Sequence, residues 1–202
     1  MADLLQSLCG NDDLYNEIIK ENLERRILVF NDEVNDGVLE NYILYILKWN
    51  REDKDIPVDK RKKIMIYFNS CGGDVFSGFS FVDAIEASTT PIVGVAFGLV
   101  ASMAYHILIA CPERIAFNNS VLLQHDGNVN ISSSGGKSKD VMKFFDKIDQ
   151  RGKEHVLKHT KITSEYYDEI YDQEKYMHAD EAKDLGCIDK IIGVDCSLDE
   201  IL

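Results

Sequence analysis

The chain has 202 residues, of which 45% are hydrophobic and 28% charged, a size and composition typical of one globular domain. Its 22 basic and 35 acidic side chains give a net charge of −13, which argues against nucleic acid and anionic membranes as partners. No apolar run approaches the roughly 20 residues that span a bilayer, and the acidic N-terminus lacks the basic region of a secretory signal.

Strands and helices alternate along the chain, which predicts an α/β domain with parallel strands and right-handed crossovers. We expect an acidic N-terminal segment at residues 1–24, a possible partner region, followed by a single domain at residues 25–202. Predicted strands lie at residues 26–30, 64–68, 91–97, 114–117, 121–124 and 188–192. Predicted helices lie around residues 38–47 and at 77–87, 103–110, 139–159, 164–171 and 179–185, and residues 130–137 read as a flexible polar loop.

The cysteines are odd in number, have no CxxC spacing and lie apart from the histidines. We therefore expect reduced thiols in a cytoplasmic protein, without a zinc site or another cofactor. The five positions are Cys9, Cys71, Cys111, Cys187 and Cys196.

The run from Gly98 to Met103 lies between a buried strand and an apolar helix. A serine at such a turn, here Ser102, exposes its hydroxyl beside helix N–H groups that have no intrahelical partner and can receive a developing negative charge. This pattern is typical of a serine nucleophile. Serine is also a preferred helix-capping residue, so the run alone leaves both roles open.

Two further segments favour the catalytic role. The pair Gly72-Gly73 follows a predicted strand and lets backbone approach a ligand, although a tight turn explains the pair equally well. His125 follows a short apolar strand, where an imidazole can take up the serine proton and return it to a leaving group. Taken alone, His125 is better explained as a partly buried, hydrogen-bonded structural histidine; together with Ser102, a general base is the better interpretation.

Six segments, in this order, carry a resemblance to the proteolytic subunit of the Clp protease (ClpP) and its phage-type relatives. They are YNEIIKENLERRILVF, YFNSCGGDVFSGFSFVDAI, GLVASMAYHILIA, FNNSVLLQHDG, the long helix ending in His159-Thr160, and YMHADEAKDLGCID. The similarity extends from about Tyr15 to Ile192. It implies the α/β ClpP/crotonase fold, stacked ββα repeats with a protruding handle helix, in seven-membered rings that stack face to face, as a possible 14-mer, around a chamber.

The resemblance implies that Ser102 is the nucleophile and His125 the general base, with the backbone N–H groups of Gly73 and Met103 as the oxyanion hole. The third triad member, an aspartate in the family, falls on Glu174. Glutamate is one methylene longer than aspartate but can still orient the histidine tautomer.

Asp172, two residues before Glu174, is the competing third member. The polypeptide substrate is expected to bind extended, adding a strand between the edge at residues 73–75 and the segment after His125. The expected binding residues are Gly72, Asp74, Val75, Gly127 and Asn128.

The chain departs from the family pattern at several positions. Cys71 replaces a proline and is expected to be an inert, half-buried thiol, with a reactive thiol as the alternative. His106 lies four residues after Ser102, where core packing is favoured because the helix is apolar. The adjacent Phe144 and Phe145 cannot both point into one narrow face, so the long helix suits burial against another subunit.

The leading hypothesis is a serine endopeptidase that cleaves unfolded polypeptides inside a homo-oligomeric chamber and depends on ATP only through a separate unfoldase. An AAA+ unfoldase is an implied partner, although residues 1–14 do not match the axial loop with which relatives engage it. The alternatives are a non-catalytic ring subunit, a crotonase-like acyl-CoA enzyme and a membrane-tethered Ser–Lys peptidase. The Ser102–His125 pair argues against the first two, and the absence of an apolar anchor argues against the last.

Overall fold

The computed structural model describes residues 12–128 and 134–202. In these residues seven strands form one sheet: β1 Ile27–Phe30, β2 Ile64–Ser70, β3 Ile92–Ala101, β4 Glu113–Phe117, β5 Val121–Gln124, β6 Lys175–His178 and β7 Lys190–Ile192. The α-helices are α1 Asp12–Glu24, α2 Leu44–Glu52, α3 Val75–Ala87, α4 Met103–Ile109, α5 Gly135–His159, α6 Ser164–Ile170 and α7 Ala179–Asp184. A π-helical segment, Leu39–Ile43, leads into α2, and 3₁₀ turns lie at Val58–Lys60 and Leu198–Glu200.

The strand order is β1-β2-β3-β4-β7, and these strands are all parallel. Strand β3 is long enough to have two neighbours on one side, because Val93–Ala96 pairs with β4 and Leu99–Ala101 pairs with β5. Strand β5 in turn pairs with β6 in the antiparallel sense. As a result, the carboxyl ends of β3 and β5 lie side by side.

The core lies mainly between the sheet and its helices. Alternate residues of β2 show why, since Ile64, Ile66 and Phe68 are buried in this larger cluster while Met65 belongs to a smaller cluster on the opposite face. Helix α4 is apolar on almost every side because it is enclosed by the core. The smaller cluster is covered by the C-terminal segment through Ile201.

The structure confirms the α/β class and corrects two details of the sequence prediction. Strand β6 was not predicted, because only one of its residues, Met177, is buried and the segment has no apolar pattern. It pairs with β5 in the antiparallel sense. Helix α5 begins at Gly135, so residues 135–138 are helical and not loop; the first turn of a helix needs no N–H bonds to a preceding turn. Residues 130–133 of that predicted loop, the first eleven residues and Cys9 lie outside the described residues.

Among the helices that the structure describes, none is long and apolar enough to cross a membrane.

Candidate active site

Ser102 lies between β3 and α4 in a backbone conformation that residues other than glycine rarely adopt. Its φ is 54° and its ψ is −126°. The turn is held by the Ser102 N–H, which donates to the carbonyl of Leu123 over 3.0 Å. Although Ser102 occupies the N-cap position of α4, its side chain makes no capping hydrogen bond. The hydroxyl is therefore not used for capping, and backbone strain of this kind is characteristic of functional sites.

Gly72 packs directly on the Ser102 turn. It has a φ of 95°, and a Cβ atom built on it would lie 2.6 Å from the Cβ of Ser102 and 2.9 Å from the amide nitrogen of Met103. A larger residue would displace the serine, so this position requires glycine. Met103 is the first residue of α4, where an N–H has no intrahelical acceptor.

The backbone N–H and carbonyl of Gly73 are directed at the cleft, because Val34 pairs with the other edge of this segment. Val34 donates to the carbonyl of Gly72 over 2.8 Å and accepts from the N–H of Asp74 over 2.7 Å, which forms a parallel bridge between Val34 and Gly73. In this pattern the N–H and carbonyl of Gly73 itself point away from Val34. They make no hydrogen bond within the described residues, whereas the N–H of Gly72 donates to Ser70 Oγ.

His125 and Glu174 meet through strand register. Gln124 lies opposite Lys175 in the antiparallel pair of β5 and β6. His125, the residue after β5, therefore faces Glu174, the residue before β6. Nδ1 of His125 lies 3.2 Å from Oε1 of Glu174. Asp172, the competing third member, makes no contact with His125 in the described part of the chain.

The outer ring nitrogen of His125, Nε2, is buried and has no hydrogen-bond partner in the described residues. When Nδ1 carries the proton and donates it to Glu174, Nε2 has a free lone pair and can act as a base. A hydrogen bond between Nε2 and the Ser102 hydroxyl is not formed in this conformation. Such bonds often become short only when substrate binds.

A cleft of about 660 Å³ runs past these groups. Its lining includes nine of the expected catalytic, oxyanion-hole and substrate-binding residues: Gly72, Gly73, Asp74, Val75, Ser102, Met103, His125, Gly127 and Asn128. Two of them also have structural roles, since Asp74 caps α3 by accepting from the Ser77 N–H and Val75 is the first residue of that helix. Neither Glu174 nor Asp172 lines the cleft, and Glu174 contacts it only through His125.

Aromatic side chains from distant elements complete the cleft and were not anticipated from the sequence. They are Phe76 and Phe79 of α3, Phe145 of α5, Tyr167 of α6, and Tyr171 and Tyr176. No local pattern identifies them, because α3, α5 and α6 are separated along the chain: α3 and α5 pack against α4, and α6 packs against α5.

Two of the departures from the family pattern lie at the cleft. His106 packs in the core as expected but also lines the cleft, and burial lowers the pKa of its imidazole to about 3. Cys71 is an exposed free thiol, which corrects the expectation that it is half-buried. Its neighbour Gly72 is fixed against Ser102 by its backbone, so the thiol takes the outward position.

A serine and a histidine that line one cleft, with a carboxylate on the histidine and backbone N–H groups that have no partner in the described residues, are the parts that an acyl-transfer site requires. The family model that describes the Clp protease matches residues 10–195. The chain therefore belongs to the Clp protease family, and the resemblance noted in the sequence and the expected fold class are confirmed.

Two relatives match the chain over most of its length. One is the ATP-dependent Clp protease proteolytic subunit 2 of Corynebacterium glutamicum, 25% identical over an alignment of 197 residues that covers 95% of this chain and 94% of the relative. The other is the ATP-dependent Clp protease proteolytic subunit 3 of Rhodococcus jostii, 26% identical over an alignment of 184 residues that covers 88% of this chain and 87% of the relative.

Proposed function

We propose that this protein is a serine endopeptidase of the ClpP type in which Ser102 is the nucleophile, His125 the general base and Glu174 the orienting carboxylate. Family membership supports a peptidase. The observation that carries the assignment of roles is the Ser102 turn. Its hydroxyl is not used for capping, and it lies on the same cleft as His125, whose Nδ1 contacts Glu174.

In the proposed reaction, Nε2 of His125 takes the hydroxyl proton while Oγ of Ser102 attacks the carbonyl carbon of the scissile peptide bond. The N–H groups of Met103 and Gly73 stabilise the resulting oxyanion. His125 then gives the proton to the leaving amine, and water hydrolyses the acyl-enzyme by the same route. Glu174 keeps the Nδ1 proton in place throughout, so that Nε2 remains the base.

The substrate is an extended polypeptide. The free N–H and carbonyl of Gly73 can pair with a substrate strand, since their edge is not used by Val34. The segment at Gly127 and Asn128 lies on the cleft beyond His125 and provides the opposite side. A strand bound between them passes over Ser102.

We further propose that the protein acts as a homo-oligomer of seven-membered rings, paired as a 14-mer around a chamber, and that an AAA+ unfoldase supplies unfolded polypeptide. The names of the two relatives support this, because both are proteolytic subunits of an ATP-dependent protease. The proposed compartment is the cytoplasm, which suits the four free cysteines of the described residues.

Covalent labelling tests the nucleophile without knowledge of the substrate or the unfoldase. A fluorophosphonate probe reacts when the serine oxygen displaces fluoride from phosphorus and the base takes the serine proton. We expect one adduct per chain, located at Ser102 by peptide mass spectrometry. Labelling should be absent in Ser102→Ala, and in His125→Ala its rate should fall at least about 10²-fold, because the general base is lost.

Ser80→Ala is the matched control, because Ser80 is exposed and its hydroxyl bonds only within its own helix. This variant should be labelled at the wild-type rate. If the folded wild-type protein is not labelled, or is labelled at a serine other than Ser102, the assignment is wrong. The alternative of a non-catalytic ring subunit would then be favoured. In such a subunit the missing hydrogen bond between Nε2 of His125 and Ser102 would be permanent.

A further inference from the structure

Three potential metal ligands converge where the carboxyl ends of α3 and α5 meet. Oε1 of Glu86, in the last turn of α3, lies 2.7 Å from Nε2 of His159 and 3.6 Å from Nδ1 of His155. His155 and His159 are four residues apart in α5 and therefore share one helix face. All three ligand atoms lie within 4.8 Å of one another.

The hydrogen bonding of His155 prepares its inner nitrogen for a cation. Nε2 of His155 lies 2.9 Å from the carbonyl oxygen of His106, and a carbonyl can only accept, so Nε2 carries the ring proton. In the neutral ring Nδ1 then has a free lone pair, and that lone pair faces a carboxylate oxygen of Glu86. A histidine that ligates a metal almost always donates its other ring N–H to a carboxylate, a backbone carbonyl or water, and the bond from His155 to the His106 carbonyl has this form.

We propose that Glu86, His155 and His159 form a binding site for a divalent transition metal ion of the Zn²⁺ class. Tetrahedral zinc with bonds of about 2.0–2.1 Å has ligand atoms about 3.3 Å apart. The two measured separations from Glu86 Oε1 lie on either side of this value, so modest side-chain movement completes the site. Two imidazoles and one carboxylate are a common ligand set for Zn²⁺, and water fills the fourth position.

The surrounding charges are compatible with one bound cation. Glu86 is near the carboxyl end of α3, and His155 and His159 are near the carboxyl end of α5, where helix dipoles favour positive charge. Lys158 already pairs with the second oxygen of Glu86, Oε2, at 2.8 Å. Glu86 is therefore a monodentate ligand through Oε1. When His159 binds through Nε2, its ring proton moves to Nδ1.

The proposed metal site would connect the C-terminal end of the long helix α5 to α4, the helix that begins at the Ser102 turn. The acceptor of the His155 bond is the carbonyl of His106, and the N–H of His106 donates to the carbonyl of Ser102 over 3.3 Å. A metal ion on His155 therefore fixes α5 against α3 and, through one hydrogen bond, against the turn of α4 that begins at Ser102. The sequence analysis expected no zinc site and no other metal or cofactor, and the present proposal departs from that expectation with a site that uses none of the cysteines.

The test is Zn²⁺ titration of the chelator-treated full-length protein by calorimetry, with Co²⁺ as a spectroscopic probe. We expect one Zn²⁺ per chain and, with Co²⁺, the strong visible absorption of four-coordinate cobalt. His159→Ala should weaken Zn²⁺ binding more than about tenfold. Tenfold is the smallest loss usually seen when a residue that only supports a metal ligand is mutated, and His159 is itself a proposed ligand. Glu86→Gln should weaken Zn²⁺ binding to the same degree. His159 is at the edge of the site, so this variant keeps the buried His155 and is expected to fold.

Two control variants separate this site from other histidines. His178 is exposed on β6, away from the cluster, and His178→Ala should bind Zn²⁺ as the wild type does. His125→Ala removes the proposed catalytic base and should also leave Zn²⁺ binding unchanged. Absence of saturable binding at one ion per chain overturns the proposal, and so does Zn²⁺ binding by His159→Ala that is as tight as that of the wild type or of the two controls. Neither outcome affects the fluorophosphonate test, which concerns Ser102 alone.

Discussion

Glu174 contacts His125 from the solvent side. Its side chain is 59% exposed, while that of His125 is largely buried. An exposed carboxylate is screened by water, so its electrostatic contribution to the imidazolium is smaller than that of a buried aspartate. In the proposed mechanism its main effect is then geometric, because a hydrogen bond across the 3.2 Å contact would select the tautomer that leaves Nε2 of His125 free to accept a proton.

This role predicts how variants of the carboxylate behave. In Glu174→Gln the amide can donate to Nδ1 and favour the wrong tautomer, so we expect the rate of fluorophosphonate labelling at Ser102 to fall by roughly 10²–10⁴-fold. Asp172→Asn is the matched control, since Asp172 does not contact His125, and should change the rate by less than about twofold. A larger loss in Asp172→Asn than in Glu174→Gln would reverse the assignment of the third triad member.

Arg26, Asp53 and Thr90 connect three elements at the amino ends of the strands. Arg26 precedes β1 and makes two hydrogen bonds to the carboxylate of Asp53, at 2.5 and 2.8 Å. Asp53 follows α2, is only 2% exposed and also accepts from the hydroxyl of Thr90 before β3 at 2.9 Å. The hydrogen bonds from Arg26 lower the pKa of Asp53, so the carboxylate stays charged although it is buried.

Arg26→Ala should destabilise the fold by about 3 kcal/mol at neutral pH, because it leaves a buried carboxylate without its cation. Arg25→Ala, at the exposed neighbouring position, should cost less than about 0.5 kcal/mol. Urea unfolding at a fixed protein concentration measures both.

The pH dependence of the Arg26→Ala effect follows from the lowered pKa of Asp53. The stability that Asp53 contributes is present above the unfolded-state pKa of about 3.9 and is lost as the pH falls through the folded-state pKa. The difference between wild type and Arg26→Ala should therefore narrow below about pH 4. A difference that is constant from pH 7 to pH 3 would mean that Asp53 is not the partner that matters.

The elements also show what sequence can predict. Ser102 and His125 each follow a strand of strong apolar character, so local patterns mark both as candidates, although neither pattern alone decides between a structural and a catalytic role. The placement of Glu174 opposite His125 depended on counting residues from a resemblance, because β6 has no apolar alternation. The cluster of Glu86, His155 and His159 was not anticipated at all, since α3 and α5 are brought together only by packing around α4.

Three aromatic rings form a partly exposed cluster at the first half of α5, and the packing of a single subunit does not account for this exposure. Phe144 is 47% exposed and stacks on Phe76, itself 52% exposed, with ring centroids 6.1 Å apart. Phe145 contacts both rings and lines the cleft. Neighbouring exposed aromatics are characteristic of surfaces that are buried by another protein. In a chain with a net charge of −13, apolar contact of this kind must offset the repulsion between subunits.

If α5 carries a contact between subunits, Phe144→Ser should weaken the assembly. By size-exclusion chromatography with light scattering, we expect the wild type to have the mass of a ring or a pair of rings, and Phe144→Ser to shift toward smaller species at the same concentration. Val194→Ser is the matched control, because Val194 is 69% exposed but lies near the C-terminus, outside the aromatic cluster. It should leave the mass unchanged. If the wild type is monomeric at micromolar concentration, the proposed chamber does not exist. The cleft would then be open to folded substrates as well as to unfolded ones.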